Sequence, residues 1–176
     1  MIPKKLLVVG SGAIGVEFAS FFAQMGSDVS LLESQPSILP NEDLEVSNFV
    51  ERQFLNRGIK IYKNHSLLSL KEKRGFFKAE LKSEDNKFTL DFEKAILAVG
   101  IVGNIENLNL EGVNISHSNG SILVDEYCKT NVDNIYAIGD VASPPWLAHK
   151  ASHEGISVAE QVAGMKVHPI KKDRIP

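Results

Sequence analysis

The chain has 176 residues, of which 43% are hydrophobic and 23% charged, and its formal net charge is −3. This is a globular composition, at a length suited to one domain or to one domain and part of a second. The slightly acidic balance lacks the basic footprint of a nucleic-acid-binding protein, and no apolar run approaches the roughly 18 residues of a membrane span.

The first part of the chain alternates short apolar runs with helical periodicity. Residues 6–9, which precede Gly10, and residues 29–32 are each typical of a strand buried on both faces of a parallel sheet. Between them, apolar residues at helical spacing predict an amphipathic helix that buries one face, formed by Ile14, Phe18, Phe21, Phe22 and Met25. The chain therefore opens with a strand, a crossover helix and a parallel strand.

A second helix is predicted after the proline-containing loop at residues 34–41, with Asn41 as its N-cap. Its buried stripe is expected to consist of Val46, Phe49, Val50 and Phe54. Gly58 ends this helix, and residues 59–62 follow as a third strand.

The apolar pattern then changes to a period of two. Residues 77–81 and 88–92 alternate apolar and polar side chains, with turns expected at residues 74–75 and 84–86. This alternation indicates an antiparallel meander with one wet face. Residues 95–99 then return to the pattern of a buried strand.

The predicted elements beyond residue 100 are shorter. Residues 122–124 and 135–138 are expected to form strands, and a helix is expected from about Leu147 to Ala163. Together the predicted elements define an α/β fold, in which a Rossmann-like parallel sheet has helices on both faces and an inserted antiparallel β-meander.

A glycine motif of the form G-x-G-x-x-G occupies residues 10–15, between the first strand and the first helix. Gly10 permits the tight turn, Gly12 lets the backbone approach a pyrophosphate, and Gly15 lets helix and strand pack closely. The free amides of the first helical turn then face the anion. The motif predicts dinucleotide binding; the alternative is a glycine-rich turn that only tightens packing.

Two acidic residues accompany this motif. Glu33 ends the second strand, where a carboxylate accepts the hydroxyl groups of an adenosine ribose. Residues 28–43 contain no Lys or Arg to receive a 2′-phosphate, so NAD(H) is favoured over NADP(H); the alternative is a solvated glutamate. Glu17, in the first turn of the predicted helix, either approaches the nicotinamide or only complements the helix dipole.

Three segments together point to a family. Residues 10–17 read GSGAIGVE, residues 130–141 read TNVDNIYAIGDV, and residues 147–155 read LAHKASHEG. In this combination the chain resembles the dihydrolipoamide dehydrogenases, pyridine nucleotide-disulfide flavoproteins that belong to 2-oxo acid dehydrogenase complexes. The likeness covers essentially the whole chain.

The resemblance implies NAD and FAD as cofactors and assigns residues to each. The implied NAD contacts are Gly10, Ser11, Gly12, Ala13, Ile14, Gly15, Val16, Glu17, Glu33, Leu67 and Gly100. Within this set, Leu67 matches a position against the adenine, and Gly100 matches one near the nicotinamide. The implied FAD contacts are Asp140, Trp146, Leu147, Ala148 and His149.

The resemblance also implies what this chain lacks. The redox disulfide of the family needs two cysteines, and the chain contains only Cys128. The first FAD-binding glycine motif of the family would precede residue 1, and its catalytic His-Glu pair would follow residue 176. We therefore expect an excised middle piece without catalytic residues, in which residues 1–127 form the NAD-binding domain and residues 128–176 are a return segment of the FAD-binding domain.

The implied setting is a homodimer that meets lipoyl domains in the cytoplasm of a bacterium, or in the mitochondrial matrix of a eukaryote. No metal site is expected, because His149 and His153 have helical i, i+4 spacing but no third ligand is evident. Two other interpretations remain open. One is a sister flavoprotein disulfide reductase or NADH oxidase, and the other is a non-catalytic NAD-responsive binding module.

Overall fold

The computed structural model describes residues 1–84, 86–171 and 175. It divides into two compact units, Met1–Gly100 and Ile101–Pro176, which are described separately below. Among the described residues, no helix is both long and apolar enough to cross a membrane.

A parallel sheet of four strands is the centre of the first unit, with the order β3-β2-β1-β7. Its strands are β1 (Lys5–Val9), β2 (Asp28–Leu32), β3 (Lys60–Tyr62) and β7 (Lys94–Leu97). Helix α1 (Ala13–Gln24) connects β1 to β2, and helix α2 (Leu44–Asn56) connects β2 to β3. The predicted succession of parallel strands and crossover helices is confirmed.

An antiparallel meander of three strands, in the order β4-β5-β6, lies between β3 and β7 in the sequence. Its strands are β4 (Ser66–Lys73), β5 (Phe76–Lys82) and β6 (Lys87–Phe92). Its apolar side packs on one face of the parallel sheet, in a cluster made by Leu7, Val9, Leu32, Ala79, Leu81 and Phe92. The period-two prediction is confirmed.

Both helices of the first unit lie on the opposite face of the sheet. Ala19 of α1 and Phe54 of α2 belong to one cluster with the sheet residues Leu6, Val8, Val29, Leu31 and Ile59. The prediction of helices on both faces is therefore wrong for this sheet. The reason is that the apolar side of the meander already covers the face that a helix would need.

The helix faces that are buried also differ from those predicted. Ile14, Phe18 and Phe21 of α1, and Met25 just after it, are between 43% and 55% exposed, whereas Gly15 and Ala19 are buried. Of the predicted stripe only Phe22 packs against the sheet cluster. In α2, Phe54 is buried but Val46 and Phe49 are exposed. Helix α2 begins after Asp43 rather than after Asn41. The sheet selects small residues on α1 because they allow the helix backbone to approach the strands closely.

Strand β7 and the second unit differ from the prediction in smaller ways. β7 lies at an edge of the sheet and ends at Leu97; both Leu97 and Val99, which lies beyond the strand, are exposed rather than buried. In the second unit, β8 (His117–Ser118) pairs with β9 (Ser121–Ile122), and helix α3 spans Ala148–Val162 as expected. Residues 135–138 form no strand and contribute only a bridge from Tyr136 to Lys129.

Candidate cofactor-binding sites

The glycine turn between β1 and α1 is tightly constrained by the end of β7. Gly10 has φ +94° and donates its amide to the carbonyl of Leu32 at 2.8 Å. A Cβ at this position would lie 2.3 Å from the carbonyl oxygen of Ala98. Both the backbone conformation and the space therefore require glycine here.

The other two glycines of the motif differ in their surroundings. A Cβ on Gly15 would lie 1.9 Å from the carbonyl oxygen of Gly10, so this glycine permits the close packing of helix and turn. A Cβ on Gly12 would meet nothing within 4 Å. Gly12 therefore leaves open space beside the backbone, which protein packing alone does not require.

The amides at the start of α1 are available to an anion. The first helical hydrogen bond runs from the amide of Val16 to the carbonyl of Gly12 at 3.0 Å. The amides of Ala13, Ile14 and Gly15 thus lie ahead of the regular helical ladder. Open space at Gly12 together with these amides fits a diphosphate group.

The structure places Glu33 directly against this turn. Its side chain lies within the protein, with the residue 7% exposed, and Oε2 accepts both the amide of Ser11 at 2.9 Å and the Ser11 hydroxyl at 2.7 Å. Oε1 accepts the amide of Gln35 at 2.8 Å and the Ser34 hydroxyl at 3.2 Å. The alternative of a solvated glutamate is therefore wrong.

Ser11 has a structural part that sequence reasoning missed. Besides its place among the expected NAD contacts, Ser11 is fully buried and donates two hydrogen bonds to one carboxylate oxygen of Glu33. The sequence signal for this contact is a hydroxyl residue between the first two glycines of the motif, combined with an acidic residue at the end of the next strand. Ser11 links the turn that would hold the diphosphate to the carboxylate that would hold the ribose.

Hydrogen bonding sets the charge of Glu33. Burial raises the pKa of this carboxyl, but the hydrogen bonds from Ser11, Gln35 and Ser34 outweigh burial and hold the pKa below its ordinary value of 4.5. The carboxylate is therefore ionised at neutral pH and acts only as an acceptor. The Ser34 hydroxyl is its longest contact, and a ribose hydroxyl could replace it as a donor.

We expect Glu33 to make the stability of the fold depend on pH in the acid range. Because its folded pKa lies below the unfolded value of about 4.5, its contribution is fully present above that value and is lost as pH falls through the folded pKa. Urea unfolding of the wild type and of Glu33→Gln should show a stability difference that narrows below about pH 4.5. A difference that stays constant down to about pH 3 contradicts this assignment.

The remaining residues proposed for NAD occupy varied positions. Glu17 is exposed and is the fifth residue of α1, so it lies beyond the first turn in which the sequence placed it. Leu67, on β4, is partly buried and packs against the sheet cluster with Tyr62 and Phe88. Gly100 has φ +110° and open space at its Cβ position.

The residues proposed for FAD lie on two neighbouring segments of the second unit. Asp140 is exposed on a 3-10 turn, Gly139–Val141. Leu147 precedes α3, and its carbonyl accepts the first helical hydrogen bond, from Ala151 at 3.1 Å. The amides of Ala148 and His149 are therefore free of the helical ladder, and they form a polar helix end that fits an electron-rich group.

Lys150 and Glu154 of the second unit lie within the segment LAHKASHEG, and the sequence alone indicates no role for them. Glu154 accepts a hydrogen bond from the amide of Gly139, and Lys150 forms an ion pair with Glu154.

Among the described residues, no cluster of three His, Cys, Asp or Glu side chains is arranged for a metal ion.

The sequence matches the model of one protein family, described as pyridine nucleotide-disulphide oxidoreductase, over residues 1–155. The chain belongs to this family of oxidoreductases. Membership implies a pyridine nucleotide and FAD as the cofactors.

The similar proteins narrow the class further. The chain is 49% identical to the dihydrolipoyl dehydrogenase of Zymomonas mobilis and 45% identical to that of Rhizobium etli, over 99% of its own length in each case. It spans 38% and 37% of those two proteins, which is less than two-fifths of each.

Solved structures agree with the fold. LpdA from Mycobacterium tuberculosis superimposes with a TM-score of 0.87 at 30% identity, covering 97% of this chain and 37% of LpdA. The HOCl-induced flavoprotein disulfide reductase RclA from Escherichia coli gives 0.85 at 27% identity, covering 96% of this chain and 38% of RclA. The expected family and the α/β class are thereby confirmed.

Proposed function

We propose that the first unit binds NAD(H). The diphosphate lies against the glycine turn and the first amides of α1, and the adenosine ribose donates hydrogen bonds to Glu33. The observation that carries this proposal is the open Cβ position of Gly12 beside a buried, ionised carboxylate. In this arrangement Glu17 and Gly100 serve the nicotinamide half and Leu67 serves the adenine.

The chain is further proposed to be the NAD-binding portion of a longer dihydrolipoyl dehydrogenase. Residues 1–127 would then be the NAD-binding domain, and residues 128–176 would return to the FAD-binding domain. Asp140 and residues 146–149 would bind and orient FAD, which when bound supplies the two-electron chemistry. The redox disulfide must lie elsewhere in such a protein, because Cys128 is the single cysteine of this chain.

The wider setting is proposed on the same grounds. Relatives at 49% and 45% identity are dihydrolipoyl dehydrogenases, which supports a substrate carried on lipoyl domains of a 2-oxo acid dehydrogenase complex. A homodimer in the cytoplasm is the matching assembly and location. The similarity to RclA supports a second candidate, a flavoprotein disulfide reductase with another substrate, but at only 27% identity.

Calorimetric titration of the chain with NADH and with NADPH tests the cofactor proposal. NADH should bind at least about tenfold more tightly, because the Glu33 carboxylate repels a 2′-phosphate and residues 28–43 offer no cation to receive it. Equal affinities, or tighter binding of NADPH, would show that Glu33 does not bind the adenosine ribose as proposed.

A further inference from the structure

A buried ion pair in the second unit has no part in the cofactor contacts proposed above. Lys150 and Glu154 lie one turn apart on α3, their side chains are 1% and 3% exposed, and Nζ lies 2.9 Å from Oε1. Burying two charges costs free energy, and apolar residues of similar size are often as stable or more so. Stability alone therefore does not explain the pair.

The other oxygen of the Glu154 carboxylate reaches the Asp140 turn. Oε2 accepts the amide of Gly139 at 2.8 Å, a hydrogen bond strengthened by the negative charge. Gly139 has φ +70° and is the first residue of the turn that presents Asp140. Nζ of Lys150 lies at Oε1, so the two oxygens of the Glu154 carboxylate face different partners.

The same helix packs closely against the segment before the turn. A Cβ on Gly139 would lie 3.5 Å from the Cβ of Ala151, and one on Gly155 would lie 3.5 Å from Cδ1 of Ile138. These contacts bring one face of α3 against residues 138–139. Glu154 provides a charged hydrogen bond within this packed contact.

We infer that Glu154, held by Lys150, is a positioning residue that fixes the Asp140 turn relative to the amino end of α3. The two segments proposed to contact FAD are thereby held in one arrangement before the cofactor binds, which lowers the ordering cost of binding. This inference rests on the proposed FAD site. Lys150 and Glu154 of the segment LAHKASHEG thereby have a role although neither residue is proposed to contact a cofactor.

Two double variants of the full-length flavoprotein test the inference, because both remove the buried charges. Lys150→Gln with Glu154→Gln keeps an acceptor for Gly139, whereas Lys150→Met with Glu154→Met removes it. The dissociation constant of FAD, measured by flavin fluorescence, should rise about 10- to 100-fold in the methionine variant. In the glutamine variant it should stay within about threefold of the wild type.

Amide hydrogen exchange at Gly139 gives a second readout that does not depend on FAD. Exchange should be slow in the wild type and the glutamine variant and faster in the methionine variant. Rapid exchange in the wild type overturns the inference even if the methionine variant does not fold. Unchanged FAD affinity in a folded methionine variant also overturns it.

Asp140→Ala separates this inference from the proposed function. If Asp140→Ala loses FAD while the methionine variant retains it, only the positioning part of Glu154 is wrong. If Asp140→Ala retains FAD with unchanged affinity, the proposed FAD contact itself is wrong, and the inference fails with it.

Discussion

Gly12→Ala is expected to abolish most NADH binding while leaving the fold intact. Apart from Gly12 and its chain neighbours, no described residue has an atom within 4 Å of a Cβ at this position. The backbone there is extended at φ −65° and ψ −177°, which alanine adopts readily. The added methyl group instead fills the space through which a diphosphate approaches the backbone. We expect NADH affinity to fall at least tenfold, about 1.4 kcal/mol, as measured by calorimetry.

Gly15→Ala provides the matched comparison. Its Cβ would lie 1.9 Å from the carbonyl oxygen of Gly10, so this substitution should lower the free energy of unfolding as well as NADH affinity. Urea unfolding should therefore separate the two variants, with Gly12→Ala close to the wild type. A Gly12→Ala protein that binds NADH normally shows that the open space is not a ligand site.

Glu33→Ala is expected to cost both stability and cofactor affinity. The substitution leaves the amide and hydroxyl of Ser11 without their acceptor in a buried place. Each unsatisfied group costs about 1–3 kcal/mol, so the loss of both should lower the free energy of unfolding by about 2–6 kcal/mol. NADH affinity should fall as well, because the ribose loses its acceptor and the glycine turn loses its support.

The exposed Glu42→Ala variant is the control for removing a carboxylate from the same region. It should change the free energy of unfolding by no more than about 0.5 kcal/mol and leave NADH binding unaltered. Ser11→Ala offers a milder test of the same contact, since the amide of residue 11 still reaches Glu33 while the hydroxyl is lost. A Glu33→Ala protein as stable as the wild type would contradict the structural part assigned here.

Local sequence pattern was sufficient to predict most of the strands and helices of the first unit and the glycine turn at the centre of the candidate site. Short apolar runs predicted β1, β2 and β3, and strict alternation predicted β5 and β6. The glycine motif predicted where the positive φ of Gly10 occurs and where α1 begins. These features are set by residues close together in the sequence, and the spacing of apolar residues shows them directly.

Contacts between distant parts of the chain were not predictable in the same way. Four of the five residues of the predicted apolar stripe are exposed, and only Phe22 packs against the sheet cluster, because the sheet takes the face with Gly15 and Ala19. Both helices lie on one face because the meander covers the other. The bonds from Ser11 to Glu33 and from Gly139 to Glu154 join residues far apart in the sequence.

Local residue pattern is thus sufficient to predict the order and type of the main elements, the glycine turn and the acidic residue at the end of β2. Contacts between distant segments set which helix face is buried, which face of the sheet the meander covers, and which polar groups hold the two carboxylates. Periodicity shows that a face is apolar, but the partner of that face depends on how segments far apart in the sequence pack together.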